Sequence, residues 1–261
     1  MTLEVLICTY GNNGIERVSK MNLPQVNNVK YLISWQTESF DFLIPNELHR
    51  KDIKIVTSRH KGLSNNRNHA IEKASGDICL IADDDLIYTA EQLQTIIKTF
   101  ETNPSVDIAL FKYSGSDSKQ YPDYEFSLKT EPKGYYITSF EIAFRLNSIP
   151  PTLEFDTRLG VGTSMPAGEE AVFIYNALEQ GLNCRFFPIT ITHHAKLTTG
   201  SRTPTPGVLQ ANGVVVAVRY GIFGILRLPI IAWRHHKQRD IKFIPALHNL
   251  FKGYMYEKKY F

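Results

Sequence analysis

A chain of 261 residues with 43% apolar and 21% charged side chains reads as globular, one large domain with an appendage. Its net charge of +3 is too small to mark a nucleic-acid partner, and none is expected. Cys8, Cys79 and Cys184 are an odd number in apolar surroundings without a CxxC pair, so buried free thiols in a reducing compartment are expected, not a disulfide framework. Glu4 interrupts a very short apolar start, which is not the pattern of a secretory leader, and a cytoplasmic location is expected.

Short apolar runs at 3–8, 30–34, 53–56, 78–81 and 106–111 alternate with polar or helix-like segments, the pattern of an α/β fold. Its mostly parallel central sheet would be flanked by helices. Leu63, Ala70, Ile71 and Ala74 share one face of a helix that Ser64 can cap and Gly76 can close. Leu93, Ile96, Ile97 and Phe100 support a helix over 90–100, stopped by Pro104. Residues 113–134 are polar and turn-rich, a loop or hairpin excursion. The stretch 149–168 holds three prolines and three glycines and suits a mobile lid or acceptor gate. Glu169 and Glu170 then open a helix that ends at Gly181. Ile189, Ile191 and His193 alternate as on a strand, and a polar loop containing Arg202 follows. No internal repeat is evident.

Charge is unevenly placed: residues 1–218 carry a net −4 and residues 219–261 a net +7. Residues 213–233 are long enough to span a bilayer, but Arg219 and Arg227 would each cost roughly 2.5 to 3.5 kcal/mol there, which opposes spanning. In one continuous helix Arg219, Arg227, Arg234 and Lys237 would fall within about 80° of one another. That is a C-terminal amphipathic helical tail suited to an anionic membrane surface, or to the protein's own core. Gly221, Gly224 and Pro229 predict two or more short pieces. The domain reading is therefore one body over 1–207, in halves at 1–112 and 113–207, and the tail at 208–261.

The most informative feature is the run Asp83-Asp84-Asp85 directly after the apolar strand 78–81. Adjacent carboxylates repel and raise one another's pKa unless a cation neutralises them. Ligands of open α/β sheets bind beyond the carboxyl ends of strands, and Mg2+ or Mn2+ suits oxygen ligands and a diphosphate. A solvated acidic turn is the plain alternative.

The block Gly62-Leu63-Ser64-Asn65-Asn66-Arg67-Asn68-His69-Ala70, with Ser75-Gly76-Asp77 and the Asp triplet, resembles the central block of family 2 glycosyltransferases. The resemblance extends over most of 3–200, including Thr9-Tyr10 and Gly168-Glu169-Glu170. It implies a GT-A (Rossmann-like) fold, a nucleotide-sugar donor, a divalent cation and inversion at the anomeric carbon. It also implies that Asp83 or Asp84 contacts the ribose and that Asp85 is the principal metal ligand, with Asp83 a further candidate. The acidic pair at a helix start stands here as Glu169-Glu170, which makes Glu170 the expected base and leaves Glu169 open. Thr9 and Tyr10 match the nucleotide-base position, where an aromatic ring can stack. Many relatives carry an Asp after the second strand; this chain has Ser34-Trp35-Gln36-Thr37, so Gln36 would present an amide instead.

His193 and His194 are candidates for a further metal ligand, because imidazole suits Mn2+. Arg67 and Arg202 are candidate phosphate contacts through their guanidinium forks, and Asn68 would order the loop or touch the nucleotide. The expected activity is transfer from a nucleotide-sugar, with a UDP-sugar leading and dTDP- or GDP-sugars behind, to a saccharide or lipid-linked acceptor. Such an enzyme would build surface polysaccharide at the inner face of the cell membrane. A nucleotidyltransferase and a catalytically silent nucleotide-binding module are the competing readings; the first usually needs a basic Gly-rich loop, which Gly11-Asn12-Asn13-Gly14 does not provide.

Overall fold

The computed structural model describes residues 1–38, 43–115, 118–194, 204–239 and 241–258. Strands β1 (Leu3–Tyr10), β2 (Val29–Gln36), β3 (Ile53–Ser58) and β4 (Ile78–Asp83) form a parallel block in the order β3-β2-β1-β4. Beyond β4 come β5 (Leu86–Ile87), β6 (Ile108–Gly115), β7 (Phe126–Ser127), β8 (Ile142–Arg145) and β9 (Cys184–His194). The sheet continues β4-β8-β6-β9-β5, with β7 also on β9. Strand β8 runs antiparallel between β4 and β6, while β6 and β9 are parallel, so this side of the sheet is mixed.

Helices α1 (Gly11–Ser19), α2 (Leu63–Lys73) and α3 (Ala90–Thr102) connect the strands. Residues 3–9 of β1 are all buried, which is why the strand reads as a continuous apolar run. Leu93, Ile96 and Phe100 of α3 join Val5, Ile7, Ile33 and Leu80 in one core. Each such side chain contributes about 1.5 to 3 kcal/mol through burial. Thr89 caps α3 reciprocally with Gln92. The three cysteines are free and buried, and burial pushes the Cys8 and Cys184 thiols up to about 12.

Several local expectations change. Ser64 does not cap α2: it lies inside the first turn, and its hydroxyl donates to the Leu159 carbonyl at 2.7 Å. The buried face of α2 is carried largely by Asn66, Arg67 and Ala70; Leu63 and Ile71 are only partly buried. Gly76 does not close the helix, which ends at Lys73. The buried carboxylate of Glu4 holds the following turn by accepting from the Ser75 and Gly76 amides at 2.5 and 2.9 Å. The polar excursion after β6 has an aromatic centre in which Phe126 stacks on Phe186 and Tyr121 stacks on Phe186.

That excursion contains a buried ion pair. Lys119 donates to Glu141 at 2.8 Å and sits over the rings of Tyr121, Tyr135 and Tyr136, and Tyr121 also donates to Glu141. Removing the cation leaves a carboxylate of zero exposure without its counter-charge, so Lys119→Met is expected to cost about 3 to 5 kcal/mol. Urea denaturation monitored by circular dichroism checks this; an unchanged midpoint would contradict it.

The chain divides into two compact units. The first comprises Met1–Lys61, Asn65–Glu154 and Ala177–Leu197 and contains the sheet. The second comprises Gly62–Ser64, Phe155–Asn176 and Thr198–Phe261. In the second unit Phe155 stacks on Phe173 with centroids 4.3 Å apart, and Leu159 and Met165 are buried with Val172. The segment expected to be a mobile lid is thus anchored at these three residues.

The tail forms α5 (Pro206–Tyr220), a tight 3-10 segment Gly221–Arg227, α6 (Leu228–Arg239) and α7 (Phe243–Lys258). The predicted interruption is present: the 3-10 segment separates α5 from α6. Arg219 and Arg227 both lie over the Tyr220 ring, Arg219 also over Tyr175, and Lys237 lies over Trp233. Ala211, Val214 and Val218 of α5 share a core with Leu159, Met165 and Val172. Helices α5 and α7 cross so closely that a Cβ on Gly213 would collide with the Leu250 carbonyl oxygen, and one on Gly253 with that of Gln210.

Candidate active site

The carboxyl ends of β1, β2 and β4 place Thr9, Tyr10, Gln36, Asp83 and Asp84 of the sequence-predicted nucleotide residues side by side in the first unit. Tyr10 ends β1 with its ring 58% exposed, directly paired in register with Gln36, whose side chain is buried. A cavity of about 500 Å³ beside them is lined by Tyr10, Asn12, Asn13, Arg17, Thr37 and Glu38. That volume is within the range of small-molecule sites.

Asn66 fastens these strand ends together: its amide donates to the carbonyls of Thr9 at 3.1 Å and Ser34 at 3.0 Å. The Ser34 hydroxyl donates back to the Asn66 side-chain oxygen at 2.6 Å and lies 3.1 Å from Nδ1 of His69. Burial lowers the His69 pKa, which favours a neutral ring. Trp35 adds an indole hydrogen bond to the Gly11 carbonyl at 3.0 Å.

The three aspartates have three different environments. Asp84 accepts from Arg17 Nε at 2.9 Å, from Arg17 Nη2 at 2.7 Å and from the Thr9 hydroxyl at 2.5 Å. Gly14 is required here, since a Cβ would collide with Thr9 Oγ1. The side chains of Thr9 and Asp84 therefore bind one another, and Arg17 neutralises the pair. Asp83 accepts from Arg67 Nη2 at 3.2 Å. Burial raises the Asp83 carboxyl above the ordinary carboxylate range, against the lowering effect of Arg67. Arg67 itself is 1% exposed and also donates to Ser139 at 2.7 Å, so its guanidinium is placed to balance Asp83.

Asp85 is placed beside His194: Nε2 lies 3.5 Å from Oδ1. The His194 ring is fixed by stacking on Phe140, centroids 5.6 Å apart, and by an edge contact with Tyr113. His193 is exposed and has Nδ1 3.1 Å from the Ser114 hydroxyl. Consecutive strand residues point to opposite faces, so the structure brings one of the two histidines to the triplet. Among the described residues no three His, Cys, Asp or Glu side chains could hold a metal by themselves. A carboxylate with a neighbouring imidazole is nevertheless a donor set that fits Mn2+ or Mg2+ when phosphate oxygens complete the shell.

In the second unit Glu169 and Glu170 open α4 (Glu169–Glu179), as the sequence predicts. Glu169 is buried and Glu170 partly exposed. Asn68 is half-buried on α2, and Arg202 lies outside the described residues. Sequence reasoning missed Arg17, Ser34, Asn66 and Ser139. Their partners are 32 to 72 positions away in the chain, and only the neighbourhood of Asn66 to Arg67 hinted at them.

Residues 44–180, more than half of the chain, match glycosyl transferase family 2, and the chain belongs to that family. Its fold is a mixed α/β, GT-A-like architecture. The chain is similar in structure to S. aureus TarS 1-349, with 15% identity and a TM-score of 0.63, covering 97% of this chain and 81% of that one. The crystal structure of TarS 1-349 in complex with UDP-GlcNAc matches at 16% identity, TM-score 0.64 and the same coverage, and that in complex with UDP at 15% and 0.64. At these identities the likeness is one of fold. No curated protein sequence matches the chain.

Proposed function

We propose that the protein is an inverting glycosyltransferase that moves a sugar from a UDP-sugar to a hydroxyl of a saccharide or lipid-linked acceptor in surface-polysaccharide assembly. The observation that carries this reading is Asp85 beside His194 at the carboxyl edge of the sheet, next to a triplet whose middle member is already neutralised by Arg17. The TarS complexes with UDP and UDP-GlcNAc favour UDP over the other bases.

Tyr10 would stack on the base, with Gln36 offering its amide, and Asp83 would accept from the ribose. Asp85 and His194 would hold a divalent cation, which when bound supplies charge neutralisation for the departing diphosphate. Glu170 would accept the proton of the acceptor hydroxyl, whose oxygen attacks the anomeric carbon as its bond to the diphosphate oxygen breaks, inverting the configuration. Glu169, buried at the same helix start, would position that carboxylate.

A thermal-shift panel of UDP-, GDP- and dTDP-sugars and nucleoside triphosphates, each with Mn2+, tests the donor. A UDP-sugar at about a hundred times its Kd stabilises by about 2.7 kcal/mol. A shift with triphosphates alone would support the nucleotidyltransferase reading, and no shift with any nucleotide would end both.

A further inference from the structure

Within the second unit, the residues after α5 present two opposite faces. Gly224, Leu228 and Ala232 are buried. On the other side Ile222, Phe223, Leu226, Ile230 and Trp233 are 70%, 72%, 71%, 56% and 53% exposed. Five large apolar side chains at this spacing along one stretch form a continuous stripe, more than scattered surface residues account for. A shallow apolar groove of about 360 Å³, lined by Ile225, Pro229, Ile244, Leu247 and Phe251, adjoins it.

The charge around the stripe identifies what covers it. Residues 206–239 contain no Asp or Glu, and they include Arg219, Arg227, Arg234 and Lys237. Arg227 lies 3.9 Å from the Tyr220 ring centroid and Lys237 5.2 Å from that of Trp233, so both cations are held beside the apolar side chains. An apolar stripe accompanied by Arg227, Arg234 and Lys237 complements anionic lipid: the rings and aliphatic groups enter the acyl boundary while the cations meet phosphates.

The segment Pro206–Lys237 is long and apolar enough to cross a membrane by length and composition, with a mean hydropathy of 1.9 in its most apolar window. Spanning would strip α5 from the core it shares with Leu159, Met165 and Val172 and from its close crossing with α7. We propose that the face formed by Ile222, Phe223, Leu226, Ile230 and Trp233 docks in the plane of an anionic bilayer, with Arg227, Arg234 and Lys237 on lipid phosphates. This inference is independent of the donor chemistry, and its test contains no activity measurement.

The experiment is flotation of the full chain with vesicles of phosphatidylcholine alone or mixed with phosphatidylglycerol, for wild type, Phe223→Glu/Leu226→Glu and Arg234→Gln/Lys237→Gln. Thermal melts confirm that the variants fold. Wild type is expected to float with the anionic vesicles and to lose binding in high salt. The glutamate pair should weaken binding by more than about tenfold. The glutamine pair should weaken it by about fivefold per cation removed. Trp35 is 2% exposed, so a blue shift of fluorescence on anionic vesicles reports Trp233. Equal binding by wild type and both variants would overturn the inference, as would absence of binding. Resistance to alkaline carbonate would overturn it in favour of spanning. A dimer in light scattering that Phe223→Glu/Leu226→Glu dissociates, without vesicle binding, would assign the face to a second copy instead.

Discussion

Asp85→Ala is expected to lower the rate of UDP release from a UDP-sugar by about a thousandfold or more while leaving the melting temperature nearly unchanged. A cation at a departing diphosphate is worth several kcal/mol of charge stabilisation, and each 1.36 kcal/mol is a factor of ten in rate. The folded state does not depend on this side chain in the same way, because Asp85 lies 3.5 Å from His194, whereas Asp83 and Asp84 are tied to the guanidinium groups of Arg67 and Arg17. Asp84→Ala should differ: it leaves Arg17 without its carboxylate and Thr9 without its acceptor, so stability is lost along with activity. Coupled-enzyme detection of UDP together with thermal melts of the two variants separates these effects. Retained activity in Asp85→Ala would contradict the assignment.

The second large effect concerns the start of α4. Glu170→Gln keeps the size of the side chain and removes its capacity to take a proton. The expected fall in kcat is ~10² to 10⁴, with the donor KM and UDP affinity little changed, since the acceptor hydroxyl alone loses its base. Glu169 is the buried member of the pair, and Glu169→Gln should act mainly on stability. Single-turnover transfer and UDP titration on both variants decide between them. A larger kcat loss in Glu169→Gln than in Glu170→Gln would exchange the two roles.

Much of this site is legible in the chain because its strands are short apolar runs that end in chemistry-bearing residues. β1 leads into Tyr10, β2 into Gln36 and β4 into the Asp triplet, and the parallel pairing sets these ends side by side. The pair Glu169-Glu170 announces α4 by placing carboxylates where a helix N-terminus favours them. The rest depends on contacts distant in sequence. β8 is four residues long between polar segments, and its antiparallel place between β4 and β6 follows from the closing of the sheet. The buried face of α2 departs from its apolar pattern because its buried positions hold Asn66 and Arg67, polar groups that fasten the β1 and β2 ends and balance Asp83. An amphipathic pattern cannot show a helix that buries hydrogen bonds. Arg17 is likewise invisible until the β1 to α1 turn brings it 2.7 Å from Asp84.

In the proposed reading Asp85 and His194 would hold a divalent cation that supplies charge neutralisation to the donor diphosphate. Isothermal titration of UDP into metal-stripped protein, with and without Mn2+, for wild type and Asp85→Ala, tests it without turnover. The account predicts that Mn2+ tightens UDP binding by about tenfold or more in wild type and leaves Asp85→Ala unaffected. Equal UDP affinity with and without Mn2+ in wild type would contradict it and leave Asp85 and His194 as neighbours without a metal.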